Sequence, residues 1–431
     1  MTTAKKKSVH VLMIPFPATG HILPNLDLAY QLAIRGITIT ILVTPKNLHY
    51  LDPFLSLHKN SLSVQVLVLP FPSHPSLPQG VENLQDVTIF SLPDLTDALS
   101  KLQDQIFEWC KESPSPPVAV IADEMLSQWT VPLCDRLGVK LISYCSVNVH
   151  ARIYWLTHSK ETWPFFQEMM AWFKKSWGVI FNSFVELAAE EIDGVKKIMD
   201  NERVWAVGPL VPIKAGSERG GSSSISSDKL IGWLDSCQVD RSVVYVGFGT
   251  QITLKTKQME VLANALEQSG VRFIWAVKAA RNEDDQDQSM VPEGFEDRVA
   301  GRGIVIKGWA PQAAILEHRA VGAYLTHGGW NSVLEALRGG VILLAWPMQI
   351  DHFHNAKLFV DELGAAVRVC EGLETVPDSD ALTRILTDSV SVDAPERIKF
   401  MELREKALKA IGKGGSSYKA LDLIVEDLFN L

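Results

Sequence analysis

Short apolar runs recur along the first half of the chain, with turn residues and amphipathic stretches between them. Residues 9–14 (VHVLMI) read as a buried parallel strand, and 37–43 (ITITILV), 64–68, 117–122 (PVAVIA), 139–143 and 178–182 read as further strands. After the first run comes Pro15-Phe16-Pro17-Ala18-Thr19-Gly20, then a helical pattern from about His21 to Arg35 that stops at Gly36. Residues 71–86 are rich in Pro and Ser and read as a long loop. At 206–228 the composition breaks: Val207-Gly208-Pro209 leads into G-S-E-R-G-G-S-S-S-I-S-S-D, a linker by composition. A second alternating set follows, with strands near 242–247, 272–277, 303–307, 321–325, 341–345 and 365–369. The acidic stretch from Arg281 to Ser289 reads as a solvated loop, and 416–431 is helical in pattern. Strands alternating with helices predict an α/β protein with parallel sheets covered on both faces. The expected organisation is a Rossmann-like domain over 1–206, a linker over 207–228, a second such domain over 229–415, and a terminal helix.

Composition narrows the function. The 431 residues suffice for two domains, and 47% hydrophobic residues can fill two cores. A net charge of −9, with no basic cluster beyond Lys5-Lys6-Lys7, excludes nucleic acid as a partner. Those lysines read as a frayed terminus. The apolar run behind them is broken by Pro15 and Pro17 and is too short to span a membrane. Cys110, Cys134, Cys145, Cys237 and Cys370 are widely spaced and lack a C-x-x-C, which suits reduced thiols in the cytoplasm. Neither H-E-x-x-H nor a D-x-D at a strand end is present, and no G-x-G-x-x-G follows the first strand. A metal site and a nicotinamide dehydrogenase are therefore not expected.

The stretch from Trp309 to His352 is the most informative. A strand, Val321 to Leu325, runs into Thr326-His327-Gly328-Gly329 and then a helical run from Trp330 to Leu337. Such a turn presents backbone N–H groups and a helix N-terminus to an anion, and Asn331 and Ser332 add donors. On these residues alone the motif serves equally as a structural turn. In full, the stretch resembles the signature box of the plant family of UDP-sugar-dependent glycosyltransferases. Trp309, Pro311, Gln312, His318, Gly322, His327, Gly329, Trp330, Asn331, Ser332, Glu335, Trp346, Pro347 and Asp351 all match. Gly328, Ile342 and His352 depart from it, standing where the family usually has Cys, Pro and Gln.

The resemblance implies the GT-B fold: two facing Rossmann-like domains, acceptor mainly on the first and nucleotide sugar mainly on the second, with the terminal helix crossing back to the first. It implies an inverting, metal-independent reaction without a cofactor, the UDP-sugar being a co-substrate. A general base must take the acceptor proton, and His has a suitable pKa. His21, just after the first strand, matches the family's base in Thr19-Gly20-His21, and Asp123, ending the strand at 118–122, matches its partner. By position alone, a helix-starting His and a strand-ending Asp are common, and Glu124 stands adjacent. For UDP the resemblance implies Trp309 on the uracil, Ala310 and Gln312 finishing base and ribose recognition, and Glu335 on the ribose hydroxyls. Thr250, His327, Gly329, Trp330, Asn331 and Ser332 would take the diphosphate.

Trp330, Asp351 and His352 are the expected sugar contacts. An imidazole in place of Gln reads either as drift or as adaptation to another sugar. The chain is most similar to the plant flavonol 7-O-rhamnosyltransferases, which also carry Asp-His here. P-F-P-x-x-G-H, V-T-P-K-N, L-P-F-P-S-H-P, V-V-Y-V-G-F-G and G-G-S-S-Y carry that similarity. It implies UDP-rhamnose as donor and a flavonol, at its 7-hydroxyl, as acceptor, with UDP-glucose or another UDP-sugar on a phenolic as the alternative. A non-catalytic nucleotide-sugar binder would have lost His21 or the box, and neither is lost. Phe16, Met125, Leu126, Trp129 and Asn148 are candidate acceptor contacts, though core packing accounts for each as well. The chain is expected to act as a monomer.

Overall fold

The computed structural model describes residues 9–57, 63–158, 162–211, 223–278, 291–391 and 393–431. The lysine cluster, half of the expected linker and the acidic stretch lie outside these residues. The chain divides into two compact units, Met1–Ile213 with Lys409–Leu431, and Lys214–Leu408.

The first unit holds a seven-stranded parallel sheet in the order β3-β2-β1-β4-β5-β6-β7. Its strands are β1 (His10–Ile14), β2 (Thr38–Val43), β3 (Val64–Val68), β4 (Ala119–Asp123), β5 (Lys140–Cys145), β6 (Gly178–Phe181) and β7 (Val204–Ala206). The first six coincide with the apolar runs. β7 has no counterpart among those runs, because three residues are too few to show a period. Order reverses at β1, which pairs with β2 on one side and β4 on the other. That reversal opens a crevice at the carboxyl ends of β1 and β4, where open α/β sheets bind ligands.

The second unit repeats the plan in six parallel strands, ordered β10-β9-β8-β11-β12-β13. They are β8 (Val243–Gly247), β9 (Arg272–Val277), β10 (Gly303–Lys307), β11 (Val321–Thr326), β12 (Ile342–Ala345) and β13 (Ala366–Arg368). Here the reversal lies at β8, between β9 and β11. Each unit has its own apolar core, and Trp275 and Trp346 are the bulkiest fully buried side chains of the second.

The break in composition is only partly a linker. Val207 and Leu210 are buried in the first core, and a helix, Ser227–Asp235, begins before residue 229. The terminal helix Ser416–Phe429 places Leu421, Ile424 and Leu428 in the first core, and Ser417 Oγ donates to Gly208 O at 2.6 Å.

Candidate active site

In the first unit, the turn after β1 feeds the helix Thr19–Ala33, and His21 lies in its first turn. Asp123 is the last residue of β4, so both emerge at the switch point. His21 Nδ1 is 2.9 Å from Asp123 Oδ2, and Asp123 Oδ1 accepts the Met125 N–H at 3.1 Å. A carboxylate only accepts, so these partners assign the ring proton to Nδ1 and leave the lone pair on Nε2. Asp123 is fully buried, whereas the His21 side chain keeps 20% of its surface exposed. The imidazole is thus reachable and the carboxylate is shielded.

Ser146, just after β5, places its Oγ 2.9 Å from the same Nδ1. Sequence reasoning missed it; the only signal was a hydroxyl at a strand's carboxyl end. Glu124, the neighbour that left the partner of His21 ambiguous, is buried in an ion pair with Arg152 instead. Among the candidate acceptor contacts, the Phe16 ring meets the His21 ring edge-on at 5.4 Å, and Met125 touches Asp123 through its amide. Leu126 and Trp129 are buried on the segment after Asp123. Asn148 caps the helix Val149–Thr157, its Oδ1 taking the His150 N–H at 3.1 Å.

In the second unit the matching residues gather at strand ends. Thr250 follows β8, Trp309 and Ala310 follow β10, and His327 follows β11. The helix Trp330–Gly339 starts at once, with Gly329 as its N-cap, so its first amides and the dipole face the switch point. Gly249 and Gly329 flank the His327 ring closely: a Cβ on either would come within 2.8 Å and 2.6 Å of ring atoms. The His327 and His352 rings meet edge-on at 4.5 Å. Burial holds His327 well below the usual histidine pKa, helped by His352, and lowers His352 to about 3. Both imidazoles are therefore neutral near pH 7 and offer hydrogen bonds rather than charge. His352 Nδ1 accepts the Gln349 N–H at 3.1 Å, which makes Nε2 its donor.

Asp351 opens the helix Asp351–Ala356 and accepts from Asn355 Nδ2 at 2.9 Å. The residue before it, Ile350, has φ 44°, a costly conformation for a β-branched side chain and of the kind found where a site is held in place.

Gln312 and Glu335 meet at 2.6 Å through Nε2 and Oε2, and Gln312 Nε2 also reaches Ser332 Oγ at 3.2 Å. Beneath them Tyr324 donates to Gln312 Oε1 at 2.7 Å and stacks on Tyr245 with centroids 4.8 Å apart. Both tyrosines were passed over inside apolar strand runs. Lys278, at the end of β9, donates to Thr250 O at 2.8 Å and was also missed.

Other residues of the matching stretch are scaffold. A Cβ on Gly322 would lie 2.0 Å from Arg241 O. His318 bonds Asp235 at 3.1 Å, and Trp346 is fully buried. Among the described residues no group of three or more His, Cys, Asp or Glu side chains is placed to hold a metal ion, and no helix is long and apolar enough to cross a membrane.

Residues 233–393 match the family model described as UDP-glucoronosyl and UDP-glucosyl transferase. A flavonol 7-O-rhamnosyltransferase of Arabidopsis thaliana is 50% identical over 99% of this chain and 100% of its own. A flavonol 3-O-glucosyltransferase of the same plant, UGT89B1, is 43% identical over 99% of this chain and 98% of its own. The crystal structure of Arabidopsis thaliana UGT89C1 complexed with UDP-L-rhamnose superposes with a TM-score of 0.92 at 49% identity, covering 98% of this chain and 100% of that one. UGT89C1 has also been solved with quercetin. With a full-length relative at this identity, and with the His21–Asp123 pair and the strand-end cradle in place, the chain belongs to the family of UDP-sugar-dependent glycosyltransferases.

Proposed function

We propose that this protein transfers rhamnose from UDP-rhamnose to the 7-hydroxyl of a flavonol, with inversion and without a metal ion. The observation that carries the chemistry is His21 Nδ1 held 2.9 Å from Asp123, which leaves Nε2 as a base. Nε2 takes the proton of the acceptor hydroxyl as that oxygen bonds to the anomeric carbon. The bond from that carbon to the β-phosphate oxygen breaks, and UDP leaves with its electron pair. Asp123 stabilises the imidazolium that forms, as the aspartate of a Ser-His-Asp triad does.

In the second unit the amides at Gly329 and Trp330, with His327, Asn331, Ser332 and Thr250, take the charge that develops on the diphosphate. Trp309 stacks on the uracil, backed by Ala310 and Gln312. Glu335, steadied by Gln312, accepts the ribose hydroxyls. Asp351 and His352 meet the sugar beside Trp330. The choice of rhamnose rests on the 50% identical relative and on His352, whose Nε2–H donor is fixed by the Gln349 amide.

UDP-glucose is the second reading, favoured by the 43% identical glucosyltransferase. Incubating the protein with UDP-rhamnose or UDP-glucose and with kaempferol or quercetin, with products identified by mass and NMR, separates the two. Rhamnose on O7 is expected; efficient glucose transfer with no rhamnose transfer would replace the first reading by the second. His21→Ala should lower turnover about 10²–10⁴-fold while leaving UDP affinity unchanged.

A further inference from the structure

Beside the dyad lies a charged pair that this reaction does not use. Glu124 follows Asp123 directly, and Arg152 sits on the helix Val149–Thr157. Both side chains are wholly buried, and Arg152 Nη2 contacts Glu124 Oε1. The rest of the guanidinium is surrounded by soft groups: its carbon lies 5.2 Å from the Trp155 ring centroid and 5.3 Å from that of Phe173, and Nη1 donates to Met170 Sδ at 3.1 Å. Its Nε has no hydrogen-bond partner among the described residues. A pair so placed is a poor stabiliser, because removing two ions from water costs about what their attraction returns.

What the pair does is join two segments. Glu124 opens the turn that follows Asp123, and Arg152 is on the helix entered directly from Ser146, Val147 and Asn148. Those segments carry the two groups that hold His21 Nδ1, Asp123 Oδ2 and Ser146 Oγ. The titratable groups around Glu124 are Asp123 on β4, Tyr144 and Cys145 on β5, Arg152 and His21, with Asp27 acting on Tyr144. Burial keeps Tyr144 and Cys145 neutral. It also pushes the Glu124 carboxyl up, and Arg152 is the main group opposing that push.

We propose that the Glu124–Arg152 ion pair is a positioning pair for the His21–Asp123 dyad. It holds the ends of β4 and β5 in register around His21 Nδ1, and it keeps the net charge beside the imidazole at a single negative one. Its kinetic consequence rests on His21 acting as the base; its effect on the charge of His21 does not.

Three variants of the full chain test this: E124Q, R152M and the double variant. Each is followed by NMR titration of the His21 ring, identified by its loss in His21→Gln, and by kcat and KM across pH. In E124Q the guanidinium stands uncompensated and disfavours the imidazolium. The titration midpoint, and with it the acid limb of kcat/KM, should fall by roughly half to one pH unit. The double variant restores the net charge, so its midpoint should return to the wild-type value. Its kcat should stay about tenfold low with KM unchanged, because the brace is missing. An unmoved midpoint in E124Q, or full kcat in the double variant, overturns the proposal. The double variant leaves no buried unpaired charge, so its kcat decides the question if a single variant does not fold. If the wild type transfers no sugar, the reaction reading fails, while the titration still decides the charge effect.

Discussion

Glu335 is gripped by Gln312 at 2.6 Å, and Gln312 is held in turn by Tyr324. In the proposed reaction this fixed carboxylate takes the two ribose hydroxyls. Glu335→Ala should weaken UDP and UDP-sugar equally, by about 1–3 kcal/mol, as for a hydrogen bond to a charged group. Calorimetry with UDP alone measures it, and unchanged affinity would contradict the ribose assignment. At His352 the structure adds a reason to the sequence argument. The ring cannot donate through Nδ1, which takes the Gln349 N–H, so its one donor is Nε2–H, which the proposed reaction turns to the sugar. His352→Gln should lower kcat/KM for UDP-rhamnose about tenfold or more, since each group left unpaired costs about 1–3 kcal/mol. UDP affinity should not change. A variant that keeps its preference for rhamnose would make His352 a neutral substitution. The other departures are mild for visible reasons. Gly328 has φ 79°, which glycine adopts without strain, and Ile342 is a paired strand residue opposite Ala323.

At the scale of elements, β11 and the helix Trp330–Gly339 set the position of the cradle. The Arg241 guanidinium ties them together, its Nη1 donating to Val321 O at 3.1 Å and to Gly339 O at 2.9 Å. Gly322 lets the Arg241 backbone come close enough for this, in a strand whose register shifts between Val321 and Ala323. Gly322→Ala would put a methyl 2.0 Å from Arg241 O, and backbone cannot step aside as a flexible side chain can. It should destabilise the second unit by about 1–3 kcal/mol, the range for overpacking, and weaken UDP binding with it. Urea unfolding checks the first effect and calorimetry the second. An unchanged unfolding midpoint would mean that the strand relaxes around the methyl.

For the whole molecule, the chain returns to its first unit at the end. The helix Ser416–Phe429 buries Leu421, Ile424 and Leu428 in the same core as Val207 and Leu210, and Arg35 bonds Asp422 at 2.9 Å. A buried leucine or isoleucine side chain contributes about 1.5–3 kcal/mol. Ending the chain at Gly415 should therefore lower the melting temperature sharply, and urea unfolding should lose the stability of the first unit before the second. Asp422 is half exposed, so solvent screens its pair with Arg35, and Asp422→Asn should leave the melting temperature within about a degree. A truncated chain that melts like the full one would show that the helix is an accessory.

Residue order alone specified most of the strands and their parallel class. Strands buried on both faces carry long unalternating apolar runs, and a ligand site at strand ends uses residues adjacent in sequence. By order alone Thr326 to Ser332 served equally as a structural turn, and His21 was one helix-starting histidine; the resemblance of the whole stretch from Trp309 to His352 singled out the first, and the match of Thr19-Gly20-His21 the second. β7 was not legible, because its three residues are strand only by pairing with β6. Which groups meet across strands was left to the folded chain. Folding chose Asp123 over Glu124 as the partner of His21, added Ser146, and set Tyr245 and Tyr324 beneath Gln312. It also separated matching residues that hold the scaffold, such as Gly322, from those that face the site. These are facts of approach between segments far apart in the chain. Spacing along one strand carries no information about the distance to the next.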